Sequence, residues 1–337
     1  MILAISGAVV LAYLVRWWVS QRPREVTLEG RHVLITGGSS GIGLALAAEA
    51  LRRRAGRVTL VARDATRLAD SRRKLIEAFG ADCDVRTVSL DIAGSFDVIQ
   101  ESLLVTHKVG TVDVLINCAG MSVARTFEEC APDAFERQMR INYLGGVHVT
   151  KALLPAMLGD ADACQRRRIA FVSSLAGLIS IYGFAGYAAS KAAVGAFASV
   201  LQQELEDCGP AVTVVFPPDT DTPGLKTENV GKPAITSAIS DAGGLYSPEE
   251  VASNAMRDIL AGRRRSLLGV TGHALSWATA GVSRPQEAFL LPLPPLLAAG
   301  LEVLLAPLFK VALMGFAYWC RLCILRHRRL EKPERQC

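Results

Sequence analysis

HVLITGGSSGIG, residues 32–43, carries the strongest structural signal in the chain. Its first five residues are mostly apolar and β-branched, as a strand covered on both faces requires. Gly37, Gly41 and Gly43 follow at once, and the run GLALAAEALRR continues with helical character. A glycine-rich turn between a buried strand and a helix lets the backbone approach a pyrophosphate, which then lies at the positive end of the helix. Glycines alone are a weak signal, but in this setting they are a strong one. Gly37, Ser39, Ser40, Gly41, Ile42 and Gly43 are therefore expected to cradle a dinucleotide.

The same strand-like character recurs in RVTLVA at 57–62, VRTVSL at 85–90, VDVLIN at 112–117, RIAFVSS at 168–174 and AVTVVF at 211–216. Helical stretches separate these runs. The alternation predicts an α/β fold, a Rossmann-like doubly wound parallel sheet with helices on both faces. The second strand ends in Ala62, Arg63 and Asp64. An acid there takes the ribose hydroxyls of NAD, whereas a guanidinium pairs with a 2′-phosphate. Arg63 points to NADPH, and Asp64 beside it pulls the other way.

SSLAGLISIYGFAGYAASKAA, residues 173–193, holds the candidate chemistry. Helical spacing from about residue 185 sets Tyr187 and Lys191 four apart on one face, whereas Tyr182 has only Gly186 at that offset. An ammonium about 5 Å from a phenol, at an effective dielectric near 20, favours the phenolate by roughly 3 kcal/mol. That predicts a Tyr187 pKa moved from about 10 toward about 8. Such a phenol protonates the alkoxide formed when a carbonyl is reduced, and Ser174 can hydrogen-bond the same oxygen. Taken alone, YxxxK also fits a helix face with a surface lysine.

Composition limits the alternatives. The chain has 337 residues, half of them hydrophobic, and a net charge of only +5. Its arginines are scattered or lie at the tails without interleaved aromatics, so nucleic acid is not an expected partner. Widely separated cysteines fit a reduced compartment. Cys320 and Cys323 form a CxxC with no second pair or His cluster, so no metal site is expected.

The two ends differ from the middle. Residues 1–15 carry no charge, and Trp17, Trp18 and Val19 extend the run past Arg16. Eighteen helical residues rise about 27 Å, enough for a thin bilayer. The positive charges follow this run, so residues 1–19 are expected to be an uncleaved membrane anchor with the main domain cytosolic. A basic linker, 20–29, leads to a catalytic domain at 30–270 with a substrate lid at about 222–248. A linker, 271–287, precedes the hydrophobic region 288–320, where Pro292, Pro294, Pro295 and Pro307 favour a membrane-associated hairpin over a single span. The basic tail 321–337 is expected to remain cytosolic.

TGGSSGIG, NCAG at 117–120, INYLG at 141–145, Ser174 and YAASK at 187–191 resemble, in order and spacing, the short-chain dehydrogenase/reductase family, over roughly residues 30–262. The resemblance implies Tyr187 as acid/base, with Lys191 lowering its pKa and holding the nicotinamide ribose. It implies that Ser174 orients the carbonyl and that Asn142 keeps a water beside the lysine. Asp91 is implied at the adenine ring, and Asn117, Ala119 and Gly120 along the cofactor. Pro217 and Thr222, in PPDTDTPG at 217–224, match the cofactor-closing loop, although Pro218 stands where the family often has glycine. That segment, together with apolar stretches at both ends, resembles a branch of the family that reduces a long-chain sphingoid ketone with NADPH in the endoplasmic reticulum. A steroid, retinoid or 3-ketoacyl-CoA reductase is the alternative within the fold, and a non-catalytic NADPH-binding scaffold the alternative outside it. Glu228, Asp241, Glu249 and Glu250 are all open as partners for a substrate ammonium. A homo-oligomer is also open.

Overall fold

A computed structural model describes residues 26–159, 164–205 and 209–279. The expected anchor at 1–19, the region 288–320, Cys320 and Cys323 lie outside them. Among the described residues no helix is long and apolar enough to cross a membrane.

Glu25–Gly272 forms one compact unit. Seven parallel strands make its sheet: β1 (His32–Thr36), β2 (Arg57–Ala62), β3 (Val85–Ser89), β4 (Val114–Asn117), β5 (Arg168–Val172), β6 (Ala211–Phe216) and β7 (Arg265–Leu267). Their order is β3-β2-β1-β4-β5-β6-β7. β1 pairs with β2 on one side and β4 on the other, so the connections reverse direction there. That switch point is where such sheets open a crevice at the carboxyl ends of their strands.

The central strands read as continuous apolar runs because each feeds two cores. Val33 and Ile35 of β1, with Val114 and Ile116 of β4, pack on one face. Leu34 and Leu115, between them, pack on the other. The first face is covered by α1 (Gly41–Arg52), α2 (Ala65–Phe79) and α9 (Pro248–Leu260). The second is covered by α3 (Phe96–Glu101), α5 (Gly145–Leu158) and α6 (Ala185–Glu204). Leu115 is fully buried, and truncating such a side chain to alanine costs about 2–5 kcal/mol.

Two further parts shape the site. α4 (Pro132–Met139) runs into α5 through a π-helical turn at Arg140–Leu144 that contains Asn142. The segment after β6 holds the short helices α7 (Pro223–Glu228) and α8 (Ala234–Asp241), which occupy the expected lid. α10 (Gly269–Ala278) follows β7. The three-residue β7 escapes the sequence reading because its apolar run is too short and it begins within the arginine run 263–265.

Candidate active site

The glycine-rich turn is built by close approach. Gly37 has φ +70°, and a Cβ there would meet the Ala119 backbone at 2.8 Å. A Cβ on Gly43 would collide with the Gly37 carbonyl oxygen. Gly41, at φ +55°, faces Thr222, which a Cβ would meet at 3.0 Å. The loop after β1 and the loop after β6 therefore form one wall. Thr36 joins that wall to β4, its Oγ1 accepting from the Cys118 and Ala119 amides at 3.0 and 3.1 Å.

This wall fits a dinucleotide. α1 has no side-chain cap at Ser40 and no acidic residue in its first turn, so its amides and dipole are left for an anion. At the far end Arg63 is exposed, with a guanidinium nitrogen 3.9 Å from Asp91, which places a cation and a carboxylate where the adenosine half would lie. Asp64 is engaged elsewhere: its carboxylate caps α2, accepting from the Arg67 amide at 3.0 Å. The acid that argued for NAD in the sequence is thus a helix cap, and the Arg63 guanidinium beside it is exposed.

The candidate catalytic side chains converge at the start of α6. Lys191 is buried and donates to the Val172 carbonyl at 2.9 Å, with Nζ 5.7 Å from the centre of the Tyr187 ring. A Cβ on Gly120 would meet both Lys191 Nζ and Asn142 Oδ1 at 3.2 Å, so those two groups flank one glycine. Asn142 Oδ1 accepts from the Met121 amide at 2.8 Å, and its Nδ2 donates to the Met121 carbonyl at 2.9 Å and to Ser190 Oγ at 2.8 Å. Ser190 in turn donates to the Tyr187 carbonyl at 2.7 Å. Ser173, which is not the site serine, donates to the Lys191 carbonyl at 2.9 Å and locks β5 to α6. Ser174 Oγ accepts from the Ala176 amide at 3.2 Å at the start of the next turn, and its hydroxyl eases ionisation of the Tyr187 phenol. Asn117, at the end of β4, donates to Thr150 Oγ1 at 2.9 Å, anchoring the strand end to α5.

One expectation is corrected. Burial raises the Tyr187 phenol well above its ordinary value instead of lowering it toward 8; Ser174 opposes the rise, while Glu228, Asp219 and Cys118 add to it. The charge invoked to lower it is itself penalised, since burial brings Lys191 down to about 8. Desolvation is the largest cause of both shifts. Cys118, inside NCAG, is pushed up to about 11 by burial and stays a thiol.

Of the four acids open for an ammonium, Glu250 closes a capping box with Ser247 at the start of α9, and Glu249 lies in the same exposed first turn. Asp241 is exposed at the end of α8. Glu228 pairs with Lys232 at 2.9 Å, and both side chains are at least nine-tenths buried. Among the described residues no group of three or more His, Cys, Asp or Glu side chains is placed to hold a metal.

The sequence profile described as short chain dehydrogenase matches residues 31–232. The chain belongs to that short-chain dehydrogenase family. A member from Danio rerio named 3-dehydrosphinganine reductase is 38% identical over 84% of this chain and 85% of its own. 3-Ketodihydrosphingosine reductase of Mus musculus is 38% identical over the same shares. 3-Dehydrosphinganine reductase TSC10A of Arabidopsis thaliana is 37% identical over 87% of each chain. Among solved short-chain dehydrogenase structures, L-sorbose reductase from Gluconobacter frateurii, complexed with NADPH and L-sorbose, superposes with a TM-score of 0.60. It is 25% identical and covers 73% of this chain and 97% of its own.

Proposed function

We propose that this chain reduces 3-ketodihydrosphingosine to dihydrosphingosine with NADPH. The observation that carries the reading is the intact cluster of Ser174, Tyr187, Lys191 and Asn142 in a chain that aligns over 84% of its length with a relative named for that reaction.

Gly37, Gly41, Gly43 and Thr222 would hold the cofactor's phosphates, Arg63 its 2′-phosphate and Lys191 its nicotinamide ribose; bound there, it supplies hydride to the C3 carbonyl carbon. The protein's own residues manage the oxygen. Ser174 hydrogen-bonds it and fixes its direction, and Tyr187 gives it a proton as negative charge develops. A phenol whose proton affinity is raised by burial stays protonated through the physiological range, which is the form that reduction consumes. Asn142 and the amine of Lys191 lie together beneath it and provide the return path for the proton.

We further propose that the enzyme sits in the endoplasmic reticulum membrane, with residues 1–19 as anchor, the catalytic domain facing the cytosol and residues 288–320 associated with the bilayer. The uncharged run 1–15 followed by Arg16, Arg22 and Arg24 supports that orientation. A long-chain ketone then reaches the site from the bilayer, and each methylene kept out of water is worth about 0.8 kcal/mol. Protection of a C-terminal tag from protease in sealed microsomes would contradict the orientation. Substrate identity is tested by offering the purified enzyme a mixture of 3-ketodihydrosphingosine, a 3-ketosteroid, a retinal and a 3-ketoacyl-CoA with NADPH. Dihydrosphingosine is the expected dominant product; preference for any of the others would displace the reading.

A further inference from the structure

Two carboxylates act on the Tyr187 phenol, Glu228 and Asp219. Their situations differ. Glu228 is neutralised by Lys232 at 2.9 Å, and Lys232 Nζ also sits 5.3 Å from the centre of the Phe184 ring. Asp219 is half-buried, and among the described residues its carboxylate has no cationic or hydrogen-bonding partner.

Asp219 is also held rigidly. Its carbonyl accepts from the Tyr246 amide at 3.0 Å, and the Asp221 amide donates to the Tyr246 carbonyl at 2.9 Å. Between them Thr220 is buried, with Oγ1 donating to the Pro218 carbonyl at 2.8 Å. Pro217, two residues earlier, accepts from the Leu175 amide at 3.3 Å, which ties this strand end to the turn that carries Ser174. A surface aspartate kept for solubility needs none of these ties. The backbone that bears this carboxylate is fixed beside the turn that carries Ser174, and among the described residues the carboxylate itself has no partner, which suits a cation that arrives with the substrate.

We propose that Asp219 binds the ammonium group that a sphingoid ketone carries on the carbon beside its carbonyl. The inference rests on the functional reading above and adds the residue that selects an amino ketone over a plain one. In such a substrate the ammonium is attached next to the oxygen held by Ser174 and Tyr187, so its partner has to belong to the loops around those residues. Of the acids there, Asp219 is the one not already paired. Its occupation by a cation also offsets the charge that makes the Tyr187 proton harder to release.

The test compares two ketones of equal chain length, 3-ketodihydrosphingosine and its analogue without the amine, on the full chain in nanodiscs with NADPH. Wild type is expected to favour the amino ketone in kcat/KM by about tenfold or more. Asp219→Asn should collapse that preference by lowering kcat/KM for the amino ketone alone. Asp221→Asn makes the same change two residues away, where the side chain is exposed and 3.7 Å from Lys226, and should leave the preference intact. A second measurement needs no variant: octadecylamine should inhibit wild type more strongly than octadecanol. Equal losses on both ketones, an unchanged preference in Asp219→Asn, or equal inhibition by amine and alcohol would overturn the proposal while leaving the reductase assignment standing. Wild type that reduces neither ketone overturns the assignment, and the proposal falls with it.

Discussion

Thr222 packs against Gly41, so that a Cβ built on the glycine meets the threonine methyl at 3.0 Å. This contact joins the turn after the first strand to the loop after the sixth, and the phosphates of the cofactor are proposed to lie between them. Gly41→Ala places a side chain at φ +55°, which costs about 1–2 kcal/mol, and pushes on Thr222. The expected outcome is NADPH affinity reduced by about tenfold, read by fluorescence titration, with a folded protein. Unchanged affinity would show that the two loops do not share a ligand.

Arg63 is proposed to set the cofactor preference. With Asp64 occupied as the cap of α2, the exposed guanidinium is the group left for a 2′-phosphate. Arg63→Ala should weaken NADPH binding by about tenfold or more and NADH binding by less than about twofold. Equal effects on both would refute the assignment.

Lys191 trades stability for chemistry. Burial holds its folded-state pKa at about 8, below its ordinary 10.5. Below pH 8 the ammonium is charged in both folded and unfolded chains, and its desolvation cost is fully present. Between about 8 and 10.5 the unfolded chain binds more protons, so the contribution of Lys191 to stability improves as pH rises. Tyr187 acts oppositely: its proton is held more tightly when folded, so stability is lost as pH climbs past its ordinary value of 10. Lys191→Met should therefore abolish reduction yet stabilise the cofactor-free protein at pH 7 by about 1–3 kcal/mol. Denaturant unfolding should show that advantage shrinking by pH 9.5; a constant advantage would contradict burial as its cause.

The Lys232 and Glu228 pair is proposed to hold the segment after β6 in place. Lys232 is held by the carboxylate and by the Phe184 ring, and Thr236 Oγ1 donates to the Tyr182 carbonyl at 2.8 Å nearby. Lys232→Ala leaves a largely buried carboxylate unpaired, which costs about 3 kcal/mol or more. Amides at 225–240 should exchange hydrogen faster, and KM for the ketone should rise more than KM for NADPH. Unaltered exchange there would show that the pair holds nothing.

The large features of this fold were legible because they are written as period and composition. Six strands appear as apolar runs, and the phosphate turn as glycines between a strand and a helix. Tyr187 and Lys191 were found by helical spacing, and the other site residues by motif. What escaped was set by tertiary placement. Thr36, Ser173 and Ser190 are ordinary polar residues in the sequence and become site supports only when β1, β5 and α6 meet. Asp64 looks like a ribose ligand until its carboxylate is seen capping α2. The Tyr187 pKa was misjudged because spacing reveals a nearby charge and says nothing of desolvation. Asp219 lay inside a recognised segment, and that its carboxylate has no partner among the described residues is a fact of three dimensions alone.

The central claim is that Tyr187 protonates the carbonyl oxygen of 3-ketodihydrosphingosine. The direct measurement is dihydrosphingosine formation by mass spectrometry, for wild type and Tyr187→Phe, in nanodiscs with NADPH. The account predicts product from wild type and a loss of about 100-fold or more in kcat for the variant, with NADPH affinity retained. Comparable turnover by a folded Tyr187→Phe would contradict it.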